Sequence, residues 1–189
     1  MIRWAGVALY LAATAMFGQS ASAARIYSNS EYGIRFPVPK GRFFCWPAKT
    51  EHDHGFGILL GGGGAKDCRD DAHHRSIWLF AFGNVVDATK YLPGLLNMGC
   101  ESAGGRCGRG PAGLEVPGLA SATGRVDLKD SWIQIVVVTQ AGEPSSMDPG
   151  VPSVNYIFSL RTRPKNLDED LAVFQAILQT TKLFSSPAK

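Results

Sequence analysis

The sequence predicts an α+β domain, an antiparallel β-sheet with a C-terminal helix and a short middle helix packed on it. Three observations carry this prediction. Strand-like segments follow one another with only turn residues between them, which favours antiparallel neighbours over parallel crossovers. The strongest of them, WIQIVVVTQ at 132–140, precedes a stretch in which Val154, Tyr156, Phe158 and Leu160 alternate onto one face. The chain then closes with Leu167, Leu171, Phe174 and Leu178 at helical spacing, a stripe that needs a sheet to cover.

The N-terminus reads MIRWAGVALYLAATAMFGQSASA. Arg3 supplies a positive n-region, Ala5 to Phe17 an uncharged apolar run, and Ala21-Ser22-Ala23 a small-x-small cleavage site. This is the pattern of a secretory signal peptide, and the run is shorter than the ~20 apolar residues a membrane anchor needs. The expectation is a signal peptide at 1–23 and one exported domain at 24–189, placed in the periplasm, with no membrane anchor.

Within that domain Ile26-Tyr27 and Ile34–Val38 read as short strands around the turn residues Asn29 to Gly33. Phe43–Trp46 reads as a third strand. Gly55–Leu60 and Ser76–Phe82 read as the two arms of a hairpin whose connection holds Gly61 to Gly64. Asp87 caps a helix over ATKYLPGLLN, which Pro93 and Gly94 shorten or break. Gly99 to Pro117 reads as a Gly-rich loop. Leu119–Leu128 and Ser131–Gln140 form an antiparallel pair turning near Lys129-Asp130, and the continuous apolar run of the second arm marks a strand covered on both faces. Asn166 is placed as the N-cap of the last helix, with Glu169 completing a variant capping box.

Four cysteines, Cys45, Cys68, Cys100 and Cys107, allow three disulfide connectivities. An exported chain favours disulfides over a reactive thiol. The pairing Cys45–Cys68 with Cys100–Cys107 is preferred because it closes the shortest loops.

The pattern Tyr27-x-Asn29-x-x-Tyr32-Gly33-Ile34-x-Phe36-x-x-Pro39-x-Gly41 resembles the opening of PsbP-like domains, where a hairpin Y-x-N-x-x-Y-G-x-x-F ends in P-x-G. The tryptophan common after P-x-G is Arg42 here. The resemblance implies an α/β/α sandwich and a non-enzymatic binding or assembly module. Some exported immunity proteins, which neutralise toxins passed between bacteria, have a fold of this kind.

All the histidines sit in EHDHGF (51–56) and DAHHR (71–75), at the two ends of the expected hairpin. On a strand His52 and His54 point the same way, whereas His73 and His74 diverge. Asp53, Asp70 or Asp71 complete a zinc or copper set only if the hairpin folds back on itself, and no HExxH or Cys-x-x-Cys spacing fixes one. The preferred reading makes His52, Asp53, His54, Lys66, Asp70, Asp71, His73 and His74 partner-binding loop residues, with no metal and no cofactor.

The alternative is a small metal- or ligand-binding periplasmic protein using the same histidines. No G-x-S-x-G elbow is present, and Lys66-Asp67 after the glycines departs from a phosphate loop. The acids Asp168, Glu169 and Asp170 belong to the first turn of a helix. Arg106, Arg109, Arg161, Arg163 and Lys165 form no long run and read as solvated surface charge, so a nucleic-acid partner is not expected at a net charge of +3. The sequence therefore points to a non-enzymatic protein whose partner is another protein, a toxin or an envelope component.

Overall fold

The computed structural model describes residues 25–45, 55–69, 73–83, 91–141 and 154–184. The expected signal peptide lies outside them. Two antiparallel sheets organise the chain. The larger one has seven strands: β3 (Phe43–Cys45), β4 (Gly55–Leu59), β5 (Ser76–Gly83), β6 (Gly108–Arg109), β7 (Ser121–Asp127), β8 (Ile133–Ala141) and β9 (Val154–Thr162). They lie side by side in the order β3-β4-β5-β9-β8-β7-β6. A separate three-stranded sheet joins β1 (Ile26–Asn29) and β2 (Ile34–Pro37) to β10 (Lys182–Leu183).

Period-two patterning decides which side each residue takes. On β8, Ile133, Ile135 and Val137 enter one core with Tyr156, Phe158 and Leu160 of β9, while Val136 and Val138 face the opposite core. This is the two-faced burial expected of WIQIVVVTQ. Helix α1 (Leu92–Ser102) packs on the second face through Leu95 and Cys100. Helix α2 (Leu167–Thr180) and the three-stranded sheet cover the first, through Phe174, Ile177, Leu178, Tyr27, Ile34 and Phe36. Each such side chain, fully removed from water, contributes about 1.5–3 kcal/mol.

The architecture is the α+β arrangement expected, with helices on both faces of the large sheet. Three details differ. The N-terminal hairpin does not extend that sheet but forms its own, completed by β10, a two-residue strand too short to leave a periodic signal. It is held where Gly33, at φ +61, lets its carbonyl accept from the Phe184 amide at 2.7 Å, and a Cβ at Gly33 would stand 2.0 Å from the Phe184 carbonyl oxygen. The expected cap Asp87 lies outside the described residues, and helix α1 begins after Tyr91 and continues through Ser102. Pro93 falls in its first turn, where a missing amide breaks no intrahelical bond, so it starts the helix instead of breaking it. Gly99 then allows close approach to the sheet, since a Cβ there would meet Val136 at 2.9 Å. Finally, Asn166 does precede α2 but its side chain makes no capping bond, and Glu169 turns outward toward Arg42 and Arg75.

Both disulfides join the preferred partners. Cys45–Cys68 ties the end of β3 to a 3₁₀ turn at Asp67–Arg69, and Cys100–Cys107 ties the last turn of α1 to the chain entering β6. No helix among the described residues is long and apolar enough to cross a membrane.

Candidate functional site

The hairpin that bears the histidines is present. Strands β4 and β5 pair from Gly55↔Phe80 to Leu59↔Ser76, and the Leu60 amide donates to the Arg75 carbonyl at 2.8 Å. Residues 61–69 therefore leave, and residues 73–75 return, at one end of the large sheet. His52, Asp53, His54, Asp70 and Asp71 lie outside the described residues. Of the remaining expected contact residues, Lys66 and His73 are exposed and His74 is half-buried. Asp67 organises the connection: its Oδ2 accepts from the Gly64 amide at 2.7 Å, and its Oδ1 lies 3.7 Å from His74 Nε2. Among the described residues no three of His, Cys, Asp and Glu gather to hold a metal ion.

Arg75, which follows the histidine pair, anchors this end to α2. Its Nε donates to Asp170 Oδ2 at 2.8 Å and its Nη2 to Asp170 Oδ1, a two-pronged pair, while Glu169 stands 3.6 Å from Nη2. The Asp170 carboxylate is 0% exposed and also accepts from the Thr162 hydroxyl on β9. The hydrogen bond to Asp170, more than any other influence, raises the Arg75 pKa above its ordinary value. Three elements (the lead into β5, the end of β9 and the first turn of α2) thus meet on one buried carboxylate. The acids of that turn have a structural duty beyond the helix dipole.

Beside this anchor the surface turns basic. Strand β9 ends in Arg161-Thr162, and Arg163 continues it in extended conformation, so Arg161 and Arg163, two apart, share a face. Both guanidinium groups reach the Trp132 ring, Arg161 with its carbon 5.1 Å and Arg163 with its carbon 4.0 Å from the ring centroid. Trp132 is nearly buried between them. The turn joining β7 to β8 holds two consecutive non-glycine residues in the left-handed region, Asp130 at φ 55 and Ser131 at φ 58. Arg163 donates through Nη1 to the Asp130 carbonyl, fixing that turn over the tryptophan.

A cleft of about 420 Å³ opens here, lined by His73, His74, Arg75, Trp132, Arg163 and Lys165 together with backbone at Gly61 and Gly62. Among the described residues no carboxylate lines it. A second cavity of about 370 Å³ shares His73 and Trp132 with the first, and it carries Asp127, Lys129, Asp130 and Arg161. Elsewhere, a more apolar groove of about 450 Å³ runs beside α1, past Phe80, Phe82, Met98 and Ile157, with Phe80 half-exposed.

The structure brings His73 and His74 together with residues the sequence reading set aside as solvated charge. Arg161 and Arg163 are not scattered but converge on Trp132, and Lys165 lines the same cleft. The signal that could have found them is the spacing R-x-R-x-K at a strand end, opposite a tryptophan at the start of the neighbouring strand. Lys66 does not line the cleft. The four cysteines are all engaged in disulfides. Tyr156, the one tyrosine on β9, donates its hydroxyl to the Tyr32 carbonyl, and burial raises its pKa well above the ordinary value.

No protein-family model matches the chain, and no curated protein matches it. Among solved structures, the solution structure of cyanobacterial PsbP (CyanoP) from Synechocystis sp. PCC 6803 is similar in fold. The two share 13% sequence identity at a TM-score of 0.42, over 88% of this chain and 96% of that chain.

Proposed function

We propose that this chain is an exported, non-enzymatic protein that binds another protein through the end of the large sheet where Trp132, Arg163 and the 61–75 connection meet. Its sharpest form is a periplasmic immunity protein that fills the active-site cleft of a periplasm-acting toxin. The observation that carries the reading is the Arg161–Trp132–Arg163 stack beside a cleft rimmed by His73 and Lys165. Tryptophan and arginine are the residue types that most often dominate interface energetics, above all when clustered and pre-set. The stack is pre-set here by the Arg163 bond to the Asp130 carbonyl and by the Arg75–Asp170 anchor beneath it. Rigid surroundings lower the entropy cost of binding.

Two disulfides suit an oxidising compartment, which agrees with export. Among the described residues, Asp170 is committed to Arg75 and Thr162, Tyr156 to Tyr32, and the cysteines to each other.

The test is co-expression of the mature chain in the periplasm with the toxin encoded beside it. A stable complex together with cell survival is expected. A complex without survival would leave a binding protein and remove the immunity role. Neither complex nor survival, with that toxin or with any envelope protein retained by the tagged chain, would overturn the reading.

A further inference from the structure

We infer that the two adjoining cavities at Trp132 form one bipolar trough that takes a mixed-charge segment of the partner protein, with a side-chain carboxylate seated at Arg163 and Lys165 and a basic residue lying against Asp130. This rests on the protein-binding reading and names the chemistry of what is bound.

The first cavity supplies cations without a lining carboxylate among the described residues. Arg75 is already committed to Asp170, so Arg163 and Lys165 remain as the groups that meet a ligand. Arg163 keeps its planar group stacked on Trp132 with only Nη1 given to the Asp130 carbonyl, and a guanidinium so held presents its other donors to a planar carboxylate. Lys165 is exposed just beyond, at a turn held by Pro164 and by the bond of the Asn166 amide to the Arg163 carbonyl at 2.9 Å.

The second cavity is mixed in charge, with Lys129 and Arg161 beside Asp127 and Asp130. Asp130 sits there exposed, its backbone in the left-handed region next to Ser131, which shares that conformation. A non-glycine pair held at positive φ costs free energy that a turn of ordinary sequence would avoid. Here the strained turn lines the second cavity and carries the exposed Asp130.

This charge pattern decides between classes of partner. A uniform polyanion, whether a nucleic acid or a sulfated or phosphorylated polysaccharide, gains at Arg163 and Lys165 but then meets a second cavity of mixed charge, where Asp130 and the Arg125-paired Asp127 stand with Lys129 and Arg161. A peptide segment alternates its charges and suits both halves. Like-charge opposition of this kind is how interfaces reject wrong partners.

The experiment uses the mature chain and three probes followed by calorimetry: a synthetic peptide with two glutamates followed by two lysines, an all-glutamate peptide of equal length, and dextran sulfate. The account expects saturable binding of the mixed peptide, weaker binding of the all-glutamate peptide, and the weakest of dextran sulfate. Lys165→Glu, at an exposed site, leaves the fold intact and weakens the mixed peptide roughly tenfold. Arg163→Glu weakens it further. Asp130→Lys lowers affinity for the mixed peptide and raises it for the all-glutamate peptide. Dextran sulfate binding more tightly than the mixed peptide would overturn the inference in favour of a polyanion. So would no binding of any probe, or unchanged binding in Lys165→Glu. A protein complex that forms on co-expression yet ignores Lys165→Glu would overturn the inference while leaving the binding function standing.

Discussion

Replacing Arg75 with alanine should destabilise this fold more than any other single charge deletion at its basic end. Asp170 is 0% exposed and its carboxylate bonds to Arg75 through both oxygens, with the Thr162 hydroxyl as its other partner. Arg75→Ala leaves that carboxylate buried with one neutral donor. Breaking a buried pair from one side costs about 3–5 kcal/mol, because the surviving charge has no compensation. The complete burial of Asp170 places Arg75→Ala toward the upper end of that range. The converse change, Asp170→Ala, costs less, because the Arg75 side chain is 20% exposed and has Glu169 at 3.6 Å to turn to. In a domain of this size 1 kcal/mol moves Tm by about 2–4 °C, so Arg75→Ala should lower Tm by roughly 10–15 °C. The double replacement Arg75→Met with Asp170→Leu removes both charges and should recover most of the loss. Thermal unfolding followed by circular dichroism reads all three. Equal losses for the two alanine variants, or a double variant as unstable as Arg75→Ala, would refute the reasoning that the carboxylate is the group whose isolation matters.

Other consequences can be read from the same coordinates. Ser131→Gly removes a positive-φ side chain and should raise Tm by about 2–8 °C, since such a residue costs roughly 1–2 kcal/mol. No gain would mean the turn is not strained. Cys45→Ser with Cys68→Ser opens a span of 23 residues, and Cys100→Ser with Cys107→Ser one of 7. Chain entropy then gives losses of about 3 and about 2 kcal/mol, which urea titration can rank; the reverse order would argue against an entropic origin. Burial raises the Tyr156 pKa above its unfolded value near 10. Its contribution to stability is therefore fully present below about pH 10 and is lost as pH rises beyond that. Tyrosinate absorbance should show Tyr156 ionising only together with unfolding, and its separate ionisation in a folded chain would contradict the burial.

What could be read from the sequence was whatever depended on local chemistry. The β7–β8 turn at Lys129-Asp130, the alternation of Val154 to Leu160, and the stripe of α2 are periodic or turn-bound signals within a few residues of each other. The disulfides followed from loop length in the same way. What could not be read was set by tertiary placement. Strand β10 exists because α2 delivers Lys182 and Leu183 alongside β2. Arg75 and Asp170 are 95 positions apart, and nothing near either residue marks its partner. The basic residues at 161–165 looked like surface charge because their aromatic counterpart, Trp132, sits at the entry to the neighbouring strand, about thirty positions away in sequence. Pro93 was taken for a breaker because its effect depends on where the first helical turn begins, which is a matter of one or two residues. Of the expected contact residues, His73 and His74 reach the cleft, and Lys66 does not line it.

The most direct test of the proposed binding function is native mass spectrometry of the chain, purified gently from its own host, with the Lys165→Glu variant beside it. The account predicts a metal-free complex with another protein for the native chain and the chain alone for the variant. The bare chain in both preparations, or a mass carrying stoichiometric zinc or copper, would contradict it, and in the latter case would turn the histidine-bearing loops into a metal site.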